Sequence, residues 1–283
     1  MNYWPFSGEV KPIIGVVHLK PLPGSPRWDG DWTGLLSAAV RDAQAMVAKG
    51  IDGLIVENFG DVPFYGDSVP PITIAAMTRV VLAVRERIGP TIPIGINVLR
   101  NDALAALSIA AATGAQFIRV NVHVGAMVTD QGVLSGRAAE TLRERARLGT
   151  PVAIFADVLV KHASPLGAGV RLLEAAEETA FRGLADALIF TGTATGRPAP
   201  LDEVRQVRDH LRGEVPILVG SGVVAQTIAE TLTVADGVIV GTALKRGGRT
   251  AAAVDPERVR ELIAQAEPFR RRQGPNTKRG IER

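Results

Sequence analysis

The chain has 283 residues, of which 46% are hydrophobic and 22% charged; its formal net charge is +3 and it contains no cysteine. That length can bury one large core without a second domain, and the lack of cysteine excludes disulfides, thiolate nucleophiles and thiolate metal sites. No apolar run reaches the roughly 18 residues of a spanning helix, and no basic amino-terminal segment leads into a signal-type apolar stretch. A cytoplasmic protein with at most peripheral membrane association is therefore expected.

In chain order, short apolar runs alternate with longer amphipathic segments, the pattern of βα units and a parallel sheet. Strands are predicted at Pro12–Leu19, Gly53–Glu57, Pro93–Val98, Phe117–Val122, Pro151–Val158, Ala187–Thr191, Pro216–Gly220 and Gly237–Gly241. Most are continuous Val/Ile/Leu/Ala, as in strands covered on both faces. Helices are predicted at 33–48, 71–88, 102–113, 136–148, 168–182, 201–212, 223–233 and 255–266, with Asp102 as a cap and Gly114, Gly149 and Gly213 as stops. Eight strands and eight helices predict an α/β fold, a single (β/α)8 TIM barrel over residues 1–267. A doubly wound open sheet is the alternative. Arg270, Arg271, Arg272, Lys278, Arg279 and Arg283 crowd the segment 268–283, which reads as a solvated basic tail. It lacks interleaved aromatic residues, so no nucleic-acid partner is expected.

The loops after the first, second, fourth and fifth strands are the longest, and all would lie on the face where barrel enzymes carry their chemistry. Polar groups end otherwise apolar strands there: His18, Glu57 with Asn58, Asn97, Asn121 with His123, and Asp157. An acid in such a place is costly unless paired or bound, so Glu57 and Asp157 are the candidate general acid/base groups. Lys161 and His162 follow the fifth strand and supply a cation and an imidazole.

The sixth junction offers Thr191, Gly192, Thr193, Thr195 and Arg197. The last two junctions run from apolar strands into Gly220-Ser221-Gly222 and Gly241-Thr242. Backbone N–H groups there can turn toward one anion, with the following helix adding its positive end, and a phosphate is the expected occupant. No cofactor is predicted. A divalent metal on His18, His123, His162, Glu57 and Asp157 stays open, although no His-x-His pair or His-Glu-x-x-His helix supports it.

The segments Ile13-Ile-Gly-Val-Val-His-Leu-Lys-Pro-Leu-Pro-Gly-Ser-Pro26, Asp52-Gly-Leu-Ile-Val-Glu-Asn58, Phe117-Ile-Arg-Val-Asn-Val122 with Gly125-Ala-Met-Val-Thr-Asp-Gln-Gly132, and Asp157-Val-Leu-Val-Lys-His-Ala163 resemble the BtpA/SgcQ family. The resemblance spans about residues 10–246. It implies a barrel related to ribulose-phosphate-binding barrels, and a role either in photosystem I biogenesis as a membrane-associated factor or in sugar-phosphate and nucleoside metabolism. It marks His18, Glu57, Asn58, Asp157, Lys161, His162, Thr191 and Gly192 as motif members; His123 rests on barrel position alone.

Two functions are thus expected to compete. One is an enzyme on a small phosphorylated sugar or nucleoside, a lyase, isomerase or glycosidic-bond hydrolase. The other is a non-catalytic assembly factor on the same scaffold. A homo-oligomer, by analogy with other barrels of this size, is a further expectation.

Overall fold

The structure is a computed structural model describing residues 3–160, 162–167, 169–192 and 199–271. Eight strands form a closed, wholly parallel barrel: β1 (Ile13–His18), β2 (Gly53–Glu57), β3 (Ile94–Asn97), β4 (Phe117–Val120), β5 (Ala153–Asp157), β6 (Ala187–Phe190), β7 (Ile217–Val219) and β8 (Gly237–Val240), with β8 pairing back to β1. The helices are α1 (Trp32–Val47), α2 (Pro71–Ile88), α3 (Ala103–Thr113), α4 (Ala138–Leu148), α5 (Leu172–Glu177), α6 (Leu201–His210), α7 (Ile228–Val234) and α8 (Pro256–Arg270). The single TIM barrel is therefore the fold, and the open sheet is excluded by the β1–β8 pairing.

Each strand sends alternate side chains to opposite faces. Ile13, Val17, Leu54, Val56, Ile118, Val120, Leu188 and Val219 face outward into the helix layer. Ile14, Val16, Ile55, Phe117, Phe155, Ile189, Leu218 and Ile239 face inward. At the amino-terminal end this inner core becomes aromatic. Phe117 stacks on Phe155 with ring centroids 4.6 Å apart, Trp4 stacks on Phe155 at 5.4 Å, and Phe6 lies 5.9 Å from Phe117. A Cβ at Gly95 would overlap the Phe117 ring, so β3 yields its interior volume to that side chain. The segment before β1 thereby plugs the barrel floor.

A repeated clip ties that floor together. The side chain of the residue preceding each even-numbered strand accepts an N–H from the start of the preceding odd strand: Asp52 from Ile13 (2.7 Å), Gln116 from Ile94 (2.9 Å), Asp186 from Ile154 (2.8 Å) and Asp236 from Ile217 (2.9 Å). Each of these acceptors is also held by an arginine from an even-numbered helix, which for β3, β5 and β7 is the helix that leads into the strand. Arg270 of α8 meets Asp52, Arg85 of α2 meets Gln116 (3.1 Å), Arg145 of α4 meets Asp186 (2.6 Å) and Arg208 of α6 meets Asp236 (3.1 Å). The fold is thus four βαβα quarters, each closed by the same chemistry. Closure between the two ends of the chain adds a buried ion pair, in which Lys245, 1% exposed, donates to Asp42 of α1 at 2.5 Å.

Several predicted boundaries move. Arg270 and Arg271, read as part of the basic tail, belong to the fold: Arg270 serves the first clip, and Arg271 bridges to Val10. The rest of that tail, from 272 on, lies outside the described residues. The helix predicted at 223–233 begins only at Ile228, because Thr227 Oγ1 accepts the Val224 N–H at 3.2 Å and holds the intervening residues in a turn. The predicted helix 168–182 is α5 followed by one wide π turn over Glu178–Arg182. The loop after β4 contains a hairpin, Ala126–Thr129 with Gly132–Ser135, that pairs with Ser164–Pro165 from the loop after β5.

Asp236→Ala removes the acceptor of a buried strand N–H and the partner of Arg208. It is expected to cost about 1–3 kcal/mol, read as a lower midpoint in urea unfolding with an unchanged slope.

Candidate active site

The two-residue period that fills the floor also builds the mouth. Two residues beyond Val16 comes His18, two beyond Ile55 comes Glu57, and two beyond Phe155 comes Asp157. On β4, Phe117 is followed inward by Arg119 and then Asn121. Register places His18 opposite Glu57 and Glu57 opposite Asn97 across three adjacent strands. The apolar interior therefore gives way, at its carboxyl end, to a ring of charged and amide side chains.

Above that ring opens a cavity of about 650 Å³. One wall carries His18, Glu57, Asn97, Arg100, Arg119 and Asn121; the other carries Gly220, Ser221, Gly222, Gly241, Thr242, Thr250 and Arg258, with Asp130 and His162 also lining it. Asn97 Nδ2 donates to Glu57 Oε2 at 2.6 Å, and Glu57 Oε1 lies 3.9 Å from His18 Nε2. The His18 ring packs edge-on against Phe59, centroids 4.9 Å apart, and a Cβ at Gly241 would come within 2.6 Å of its Cε1. Glycine at 241 thus makes room for the imidazole.

Asp157 occupies a different position. Its side chain is 0% exposed and accepts from Arg119 Nε (3.1 Å), Arg119 Nη2 (2.9 Å) and Asn121 Nδ2 (2.6 Å). Burial alone would weaken the Arg119 charge, but attraction to Asp157, their hydrogen bonds and the charge of Glu57 outweigh it, so the pKa of Arg119 is raised. Arg100 has the opposite balance: burial lowers its pKa, against the pull of Asp157, Glu57 and Asp130. It remains a cation, as arginines in proteins do. Arg100 is positioned by a stitched loop layer. Asn58 accepts from the Leu99 N–H (2.7 Å), Asn101 exchanges two bonds with the Val122 backbone (2.8 and 2.9 Å), and Asp102 caps α3 through Ala105 while accepting from Val69.

The candidates from sequence therefore separate. Glu57, His18, Asn97, Asn121, His162, Gly220, Ser221, Gly222, Gly241 and Thr242 share one cavity. Asp157 is spent on Arg119 and Asn121, and Asn58 stitches loops. His123 is buried, and its Nε2 donates to the Gly183 carbonyl at 2.8 Å, away from the cavity lining. Thr191 lies beside Gly220, its Cγ2 3.5 Å from where a Cβ would stand there, while neither it nor buried Gly192 lines the cavity. Lys161 and the predicted contributors at 193, 195 and 197 lie outside the described residues. The helix-dipole contribution expected behind Ser221 and Gly222 is corrected by the late start of α7; these residues sit in an irregular loop, with Gly222 at φ +71. The metal set of His18, His123, His162, Glu57 and Asp157 is not assembled, and among the described residues no three His, Asp or Glu side chains gather around one point. Arg100, Arg119 and Arg258 were missed. For Arg119 the signal was present, because it lies two residues after an inward Phe117.

Fold and site define a (β/α)8 barrel with a polar cavity at the carboxyl ends of its strands. The chain belongs to the BtpA family, whose model matches residues 9–268. Its relatives include the photosystem I biogenesis protein BtpA of Synechocystis sp., 47% identical over 267 residues covering 94% of this chain and 92% of the relative. An uncharacterized protein of Thermococcus kodakarensis is 46% identical over 264 residues, 93% of this chain and 97% of the relative. Among solved structures, 3-hexulose-6-phosphate synthase from Salmonella typhimurium superposes with a TM-score of 0.57 at 17% identity, covering 91% of this chain and 99% of that one. Thiamine phosphate pyrophosphorylase from Pyrococcus furiosus does so with a TM-score of 0.57 at 13% identity, covering 92% and 96%. At those identities the likeness is one of fold. Among the described residues no helix is long and apolar enough to cross a membrane.

Burial pushes the His123 pKa below the ordinary histidine value of 6.5, against the opposing bond to Gly183. The unfolded chain then takes up a proton at a higher pH than the folded one. The stability contributed by neutral His123 is complete above the unfolded value and is lost as pH falls through the window between that value and the depressed folded one. Unfolding free energy measured at about pH 7.5 and about pH 5.5 should drop more for the wild type than for His123→Gln, which removes this titration.

Proposed function

We propose that the protein is an enzyme acting on a small phosphorylated molecule, a sugar or nucleoside phosphate, bound across the mouth cavity. The observation that carries this reading is the division of one cavity into two chemically distinct walls: acid, amide and imidazole on one side, glycine and hydroxyl groups on the other. Ser221, Gly222, Gly241 and Thr242 present backbone N–H and hydroxyl groups suited to a phosphate, with Arg258 supplying charge. The anion is held by loop backbone rather than by a helix end. Thr242 Oγ1 and Thr250 Oγ1 are 2.9 Å apart, which fixes that wall.

Glu57 is the proton-transfer group in this reading. One carboxylate oxygen is fixed by Asn97, which leaves the other facing His18 and the ligand. Arg100 and Arg119 stand where negative charge would develop on a substrate oxygen, the arrangement that lowers the barrier for abstracting a proton beside a carbonyl. Engagement of Asp157 with three donors weighs against a two-carboxylate glycosidic hydrolysis by Glu57 and Asp157, since the second group has no face toward the cavity. Isomerase or lyase chemistry is favoured instead.

A second reading, a non-catalytic assembly factor, draws on the name of the Synechocystis relative and on one surface feature. The outer face of the hairpin sheet leaves Val128, Val133 and Leu166 exposed, as a contact with another protein would require.

Thermal unfolding with inorganic phosphate and sugar phosphates separates the two. A ligand at 100 times its Kd stabilises by about 2.7 kcal/mol. The wild type is expected to shift and Ser221→Glu is not; residue 222 is left alone because its positive φ would add strain of its own. With a responding ligand, Glu57→Gln should keep binding and lose on the order of a hundredfold or more in kcat. No shift in folded wild type would favour the assembly reading.

A further inference from the structure

Asn121 is 4% exposed, lines the mouth cavity, and has one end of its amide committed: Nδ2 donates to Asp157 Oδ2 at 2.6 Å. Its other end, Oδ1, is buried and has no hydrogen-bond partner among the described residues. The orientation is forced by chemistry. Asp157 already accepts a two-pronged bond from Arg119, and a flipped amide would set carbonyl oxygen against carboxylate oxygen with no proton between them. Arg119 in turn is held by that two-pronged bond, and glycine at 220 leaves room for Ile189, whose Cγ2 a Cβ there would approach within 2.6 Å.

A buried acceptor left unmatched is costly, and the cost is recovered when a ligand supplies a donor. We infer that Asn121 is a specificity-determining residue whose carbonyl oxygen reads a hydroxyl or amine on the carbon skeleton of the phosphorylated ligand, and that Asp157 is the positioning residue that holds it so. This rests on the proposed phosphate reading and narrows it. The preferred ligand carries a donor group in addition to its phosphate. A phosphorylated acid that brings only acceptors would leave Asn121 Oδ1 unmatched and set a second carboxylate near Glu57.

The test is calorimetric titration of the full chain with inorganic phosphate, 2-phosphoglycolate, glycerol 3-phosphate and ribose 5-phosphate. The wild type should prefer at least one of the two hydroxylated phosphates over phosphoglycolate by about tenfold or more. Asn121→Leu, similar in size but with no acceptor, should lose that preference while binding inorganic phosphate as before, which also shows that it is folded. Asn121→Asp, which restores an acceptor and shares a proton with Asp157, should recover part of the preference. Equal binding of all three organic phosphates by wild type, at a site sensitive to Ser221→Glu, would overturn the role of Asn121 and leave the phosphate reading standing. Absence of any phosphate binding that Ser221→Glu abolishes would overturn both.

Discussion

A guanidinium inside a closed barrel is tolerable only if its charge is met there, and the Arg119–Asp157 pair meets it with two hydrogen bonds between adjacent strands. Much of the mouth follows from that one constraint. Asp157 has no face left for catalysis, and Asn121 must turn its carbonyl away. Removing either charge would strand the other in the interior, which is far costlier than never having placed the pair. The pair thus organises the polar ring, and Glu57 is left as the buried acid with an oxygen toward the cavity.

The two ends of the barrel divide the work of stability and function. At the amino-terminal end, aromatic stacking and four repeated arginine clips satisfy the strand N–H groups and close each βαβα quarter. At the carboxyl end, long loops are stitched to one another by Asn58, Asn101 and Asp102, so Arg100 is presented by a braced layer. This division lets loops vary in sequence while the floor holds the fold.

What could be read from sequence differed sharply between kinds of feature. β2 at Gly53–Glu57 and α2 at 71–88 coincide with their predicted spans, because local residues mark their limits: a short apolar run between Gly53 and Glu57, and an amphipathic run opened by proline and closed by Gly89. The hairpin at 126–135 was read as irregular loop. Its strands are four residues each and gain their stability by pairing with one another and with Ser164–Pro165, a partner distant in the chain. The α7 start was placed early because Val223 and Val224 continue the apolar period, whereas the Thr227 side chain closes a turn there.

By itself, the sequence determined the (β/α)8 architecture, the face on which chemistry would lie and the glycine-hydroxyl loops that form one wall of the cavity. All three depend on local patterns: alternation of apolar and amphipathic runs, and glycine where strands end. Only the tertiary structure decided which polar strand-end residues share the cavity. Glu57, Asp157 and His123 look alike in sequence, each a polar group closing an apolar run. They part because the neighbouring strand supplies Asn97 to the first, Arg119 and Asn121 to the second, and the Gly183 carbonyl reaches the third across 60 residues of chain. A side chain's chemistry is set by the partners that meet it, and in a barrel those partners come from other strands.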